Sequence, residues 1–75
     1  MTLTDLSAGK MAVVETLIAD GFLRRRLLDL GVLPGTSVMR LEQAVGGCCR
    51  VKIRGVTVTL RRDETETIRV REVEI

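Results

Sequence analysis

Cys48–Arg62, CCRVKIRGVTVTLRR, decides how this chain is read. Val51 and Ile53 alternate with Lys52 and Arg54, the period-two pattern of a strand with one buried face. After Gly55 the phase reverses, and Val56, Val58 and Leu60 become the apolar set. A shift of one residue turns every side chain of a strand to the opposite face. The glycine therefore marks either a bulge or a tight turn between two strands. A hairpin with Arg54-Gly55 at its tip is the preferred reading.

The flanking segments follow by the same rules. KMAVVETLIAD is aliphatic and β-branched and lies between Gly9 and Asp20-Gly21, which predicts a strand over Met11–Ile18. Asp20 stands where an N-cap belongs. Leu23, Leu27 and Leu30 recur at helical spacing with Phe22 and Leu28 beside them, which predicts a short amphipathic helix over residues 21–30. Gly31 suits the left-handed position past the helix end, with Val32 packing back on Leu27. Pro34 stops the helix from resuming. So short a helix is marginal alone and must lie against the rest of the fold.

Thr36–Ala44 alternates as a second strand, Val45-Gly46-Gly47 reads as a turn, and Asp63–Glu66 as a single helical or 3₁₀ turn. Ile68–Ile75 forms the last strand, with Ile68 and Val70 on one face and a change of phase before Val73. Near the N-terminus, Leu3 and Leu6 are expected on the core and Ser7-Ala8-Gly9 is a turn signal. Five short strands with turns about every 8–12 residues predict a mainly β domain, a small barrel or sandwich, with the helix inserted after the first strand. Barrel closure would remove exposed strand edges.

The 75 residues form one domain, residues 1–75. A chain this short buries only about 60% of its unfolded surface. Its core must be built from modest aliphatic side chains, since Phe22 is the only aromatic. That leaves little interior for a large ligand pocket. Ten of the twelve basic residues are arginine, but ten acidic residues offset them, for a net charge of +2. Such a balance, without stacking aromatics, speaks against a stable nucleic-acid complex. No segment reaches the roughly 20 apolar residues of a membrane span. The start MTLTDLSAG lacks the pattern of a signal peptide, and a cytoplasmic location is expected.

Cys48 and Cys49 are adjacent, so on a strand they point to opposite faces and cannot converge on one ion. With no histidine and no other cysteine, no metal site of the usual sulfur and nitrogen kind is encoded. One thiol is expected in the core and the other exposed. Asp63, Glu64 and Glu66 lack the spacing of a calcium loop and read as a solvated turn. Gly46-Gly47 lacks the spacing and lysine of a phosphate loop. Nothing points to a cofactor or to an enzyme.

Arg24, Arg25 and Arg26 are turned by about 100° each on a helix, so they fan over about 200° and form no flat basic patch. At least one must lay its stem on apolar surface. Asp29 is within reach of Arg25 or Arg26. The exposed residues Arg24, Arg25, Leu28, Asp29, Pro34 and Gly35 are the candidate partner-binding set, within a docking surface over residues 22–35.

MTLTDLSAGK, RRRLLDLGVLPGTSV and VKIRGVTVTLRRDETETIRV together resemble the FeoA family of ferrous-iron-transport accessory proteins. The most specific part is Arg25–Gly35, of the form R-x-L-x-x-L-G-hydrophobic-x-P-G. The matching positions are Arg25, Leu27, Leu30, Gly31, Pro34 and Gly35, with Gly55 and Arg61 in the hairpin region. The resemblance implies a small SH3-like β-barrel and a non-enzyme that acts with an FeoB-type membrane transporter, binding its cytoplasmic GTP-binding domain. It places the protein in the cytoplasm, at the inner membrane face through that partner. A related SH3-like module ends some metal-responsive repressors, so a metal- or ligand-sensing role is the alternative, followed by a small barrel that binds nucleic acid weakly.

Overall fold

A computed structural model describes residues 1–43 and 47–74. The chain runs through a 3₁₀ turn (Leu3–Asp5), β1 (Met11–Leu17), α1 (Gly21–Asp29), β2 (Ser37–Gln43), β3 (Cys49–Ile53), β4 (Val56–Leu60), α2 (Arg62–Thr65) and β5 (Ile68–Val73). Most of the predicted Val45-Gly46-Gly47 turn lies outside the described residues, as do Ala44 and Ile75.

The hairpin forms where the phase reverses. Ile53 pairs with Val56, and only Arg54 and Gly55 lie between them. Both take positive φ, 52° and 80°, as a type I′ turn requires. That turn matches the right-handed twist of the strands, which is why the two-residue loop closes without a bulge.

All strand pairings are antiparallel, in the order β4-β3-β2-β1-β5. The sheet does not close: among the described residues, β4 and β5 do not pair. The expected closure gives way to a plug. Leu3 and Leu6 are fully buried, Thr4 and Thr65 share a 2.8 Å hydroxyl bond, and Thr2 bridges to Arg69 beside β5. The N-terminal segment thus covers the β5 edge, and α2 spans from β4 to β5. Among the described residues, no strand pairs with the outer edge of β4. Val56, predicted to face the core with Val58 and Leu60, is 60% exposed, while Leu60 is fully buried. The strand leaves the core as it approaches the turn.

Alternate residues carry the core inward: Ala12 and Val14 from β1, Val51 and Ile53 from β3, Ile68 and Val70 from β5. From α1, Leu27 is fully buried, while Leu23, Leu28 and Leu30 pack partly against the cluster. Leu30 is thus at the core boundary rather than inside it. The helix end follows the predicted chemistry. Gly31, at φ +93°, donates its N–H to the Leu28 carbonyl, and the Val32 N–H reaches the Leu27 carbonyl, both at 3.0 Å. This is the Schellman arrangement, with Val32 buried against the same core. The N-cap is only half as predicted: Asp20 takes the extended cap conformation, but its side chain makes no capping bond.

Candidate functional site

The turns of α1 sort the predicted residues onto two flanks. Phe22, Arg25, Arg26 and Asp29 recur at three- and four-residue spacing and share one face. With Leu30, and Arg61 from the end of the hairpin, they line an open groove of about 410 Å³. Arg24 and Leu28 lie on the other flank. Arg24 donates from Nη1 to the Leu17 carbonyl at 3.3 Å, and Leu28 is half-buried. Pro34 and Gly35 form an exposed turn beyond the helix. Gly35 has φ +88°, and the Thr36 N–H donates to the Leu33 carbonyl at 3.0 Å, as in a type II turn. The Gly35 N–H in turn bonds to the Val14 carbonyl at 2.7 Å, which fixes the turn to β1. Of the six candidates, only Arg25 and Asp29 meet in one groove.

Phe22 is the residue that sequence reasoning underrated. Read as a flank of the apolar stripe, it is 87% exposed and stands on the groove wall. Its helical phase relative to Leu27 carries that information. Ile18 is exposed as well, in the segment between β1 and α1.

The ion pair expected inside α1 is replaced by a longer-range one. Arg26 donates from Nε to Oε2 of Glu64 at 2.6 Å, and among the described residues Asp29 has no cation within 4.0 Å. Glu64, read from sequence as part of a solvated turn, is fully buried. Its Oε1 accepts from the Arg61 amide at 2.9 Å. Burial raises the Glu64 pKa, but the Arg61 amide and the Arg26 guanidinium outweigh it and hold the carboxyl below its ordinary value. The same bond pushes the Arg26 pKa up. Charge-assisted bonds at a buried carboxylate outcompete an exposed pair within one helix. Glu64 thereby ties α1, which carries the groove, to α2.

Cys49, the first residue of β3, is buried as one thiol was expected to be, but Cys48 precedes the strand and is half-buried rather than exposed. Burial pushes the Cys49 thiol pKa up, against the opposing charge of Arg40. Among the described residues, no three His, Cys, Asp or Glu side chains are placed to hold a metal ion. Among the described residues, no helix is long and apolar enough to cross a membrane.

The family model described as the FeoA domain matches residues 1–72. No curated protein matches the chain. The solution structure of iron(II) transport protein A from Clostridium thermocellum is 31% identical with a TM-score of 0.92; the match covers 97% of this chain but only 46% of that one. The FeoA protein of Chlorobium tepidum is 37% identical with a TM-score of 0.89, covering 99% of this chain and 71% of that one. FeoA of Stenotrophomonas maltophilia, complexed with zinc and described as a procaryotic SH3 domain protein, is 29% identical with a TM-score of 0.83, covering 95% and 89%. A manganese-dependent transcriptional repressor at 22% identity shares the fold alone. With the family match running over residues 1–72, through both helices and all but the last residue of the sheet, the chain belongs to the FeoA family, an SH3-like family linked to ferrous iron transport.

Proposed function

We propose that this protein is a cytoplasmic accessory or regulatory subunit of ferrous iron transport that binds the GTP-binding domain of an FeoB-type transporter through the outer face of α1. The observation that carries this reading is Phe22. The chain's one aromatic residue stands 87% exposed beside Arg25 and Asp29, although a core of this size has use for every large apolar side chain. Phenylalanine and arginine are both enriched at the cores of protein interfaces relative to the rest of the surface. Arg24, Leu28, Pro34 and Gly35 would then form the rim of the contact.

The test is a titration of the ¹⁵N-labelled protein with the transporter's soluble GTP-binding domain. Amide shifts are expected along residues 22–35, and Phe22→Ala is expected to weaken binding about 30-fold or more, the effect of losing a hot-spot side chain. Shifts confined to other surfaces, or equal affinity for Phe22→Ala and wild type, would overturn the assignment of this face. No binding by either the soluble domain or the full-length transporter would overturn the proposal itself.

A further inference from the structure

A second concavity lies away from the outer face of α1, between the N-terminal turn, the start of β3 and α2. It is an open cleft of about 510 Å³ whose walls include Thr4, Arg40, Cys48, Arg61, Arg62 and Thr65, and no acidic residue lines it. The docking role proposed above makes no use of it.

Arg40 shows what the cleft is suited to hold. Period two places it on the same face of β2 as the buried Val38, an unusual position for a cation. Its Nη1 donates to the carbonyls of Thr4 and Leu6, so the guanidinium is held in place by neutral acceptors. Among the described residues, no carboxylate lies within 4.0 Å of it, and its Nε is buried without a partner. A half-buried cation without a counter-ion is an unfavourable arrangement that a bound anion would relieve.

The other arginines are available to the same anion. Among the described residues, Arg61 has only long contacts, 4.0 Å to Asp63 and 3.8 Å to Glu64, and Arg62 pairs with Glu66 at 3.2 Å on the exposed surface. The Arg61–Asp63 and Arg62–Glu66 pairs are exposed, and pairs of this kind are weak and exchange readily. The Thr65 hydroxyl is buried and donates to the Arg62 carbonyl at 3.2 Å, so it accepts from Thr4 at 2.8 Å, and the arginines are left as the cleft's donors. Guanidinium forks facing a cleft without carboxylates match the geometry of a tetrahedral oxyanion. No aromatic side chain is present to stack a base.

We propose that this cleft binds a phosphate group, with Arg40 as the fixed electrostatic anchor and Arg61 and Arg62 as the closing forks. The group is either free inorganic phosphate or the phosphate of a small monoester. Arg61 borders both this cleft and the α1 groove.

The test titrates the ¹⁵N-labelled protein with inorganic phosphate, and separately with AMP, against sodium chloride at matched ionic strength, since general screening affects every exposed arginine. The amides of Gly47, Cys48 and Thr65 are expected to shift saturably with phosphate and not with chloride. Arg62→Gln is expected to weaken phosphate binding about fivefold or more, as loss of one charge-assisted bond implies. Arg71→Gln makes the same charge change on β5, outside the cleft, and is expected to leave affinity unchanged. Arg40→Gln is a poor probe, because its bonds also hold the N-terminal turn. Shifts with AMP at the same amides identify a monoester as an acceptable ligand, and their absence identifies free phosphate. Phosphate shifts no larger than those with chloride, or equal weakening by Arg62→Gln and Arg71→Gln, would overturn the proposal.

Discussion

Replacing Glu64 by glutamine keeps the side chain's volume and removes only its charge. The carboxylate accepts two bonds, from Arg26 at 2.6 Å and from the Arg61 amide at 2.9 Å. Charge-assisted bonds are worth roughly 1.5–3 kcal/mol and neutral ones about 1. A glutamine oxygen can keep the amide bond as a neutral one, but its NH₂ then faces the Arg26 guanidinium, donor against donor. Water repays part of that loss, because the Arg26 side chain is 43% exposed. The carboxylate's own desolvation cost also disappears on substitution. The balance is a destabilisation of about 2 kcal/mol at neutral pH, which for a domain of this size lowers Tm by roughly 8–16 °C. The assay is urea denaturation followed by far-UV circular dichroism, since the chain has no tryptophan or tyrosine to report by fluorescence. The pH dependence supplies the second half of the prediction. The folded Glu64 pKa lies below its unfolded value near 4.5. Its contribution is therefore complete above the unfolded pKa and is lost as pH falls through the lowered folded one. Wild type and Glu64→Gln should converge in acid. A variant within about 0.5 kcal/mol of wild type at neutral pH, the range of ordinary surface changes, would refute the role given to this carboxylate. So would a difference that persists unchanged in acid.

Three further outcomes are expected. Leu27→Ala, which empties a fully buried site under α1, should cost about 2–5 kcal/mol, while Phe22→Ala on the same helix should stay within about 0.5, both by urea denaturation. Arg54→Asn should stabilise the domain by up to about 1 kcal/mol, because Arg54 holds φ +52° at a turn position that asparagine tolerates better; an unchanged or lower midpoint would count against the turn assignment. Iodoacetamide should modify half-buried Cys48 well before buried Cys49 in the native protein, and the two at similar rates in denaturant, as peptide mass mapping would resolve.

Local chemistry was legible in the sequence wherever neighbours in the chain are neighbours in space. The phase reversal at Gly55 located the hairpin, and Gly31 with Val32 and Pro34 located the helix end. The Cys48-Cys49 pair was legible by half: one thiol is in the core as expected, but Cys48 precedes β3 and is half-buried rather than exposed. Features that depend on distant residues were not legible. Glu64 looks like one more acid in a polar turn until its partner, Arg26, arrives from a helix 38 residues earlier. The outer edge of β4, unpaired among the described residues, depends on where the N-terminal segment packs, which no periodicity records. Arg40 was a missed signal: a cation on the Val38 face of a strand is an inconsistency that marks a site before any coordinates exist. The candidate partner residues came from one helix, and only its rotation relative to Leu27 separates the Arg25 and Asp29 flank from that of Arg24 and Leu28.

The fastening of α1 has a thermodynamic consequence for any molecule that meets its outer face. Arg24 secures its beginning to the end of β1, Arg26 its middle to Glu64, the Schellman bonds its end to Val32, and the Pro34-Gly35 turn continues onto Val14. Conformational freedom on this surface is thus surrendered during folding, before a partner arrives. Binding there should proceed as a rigid-body encounter, with little ordering entropy charged against affinity and an association rate nearly independent of the helix's intrinsic propensity.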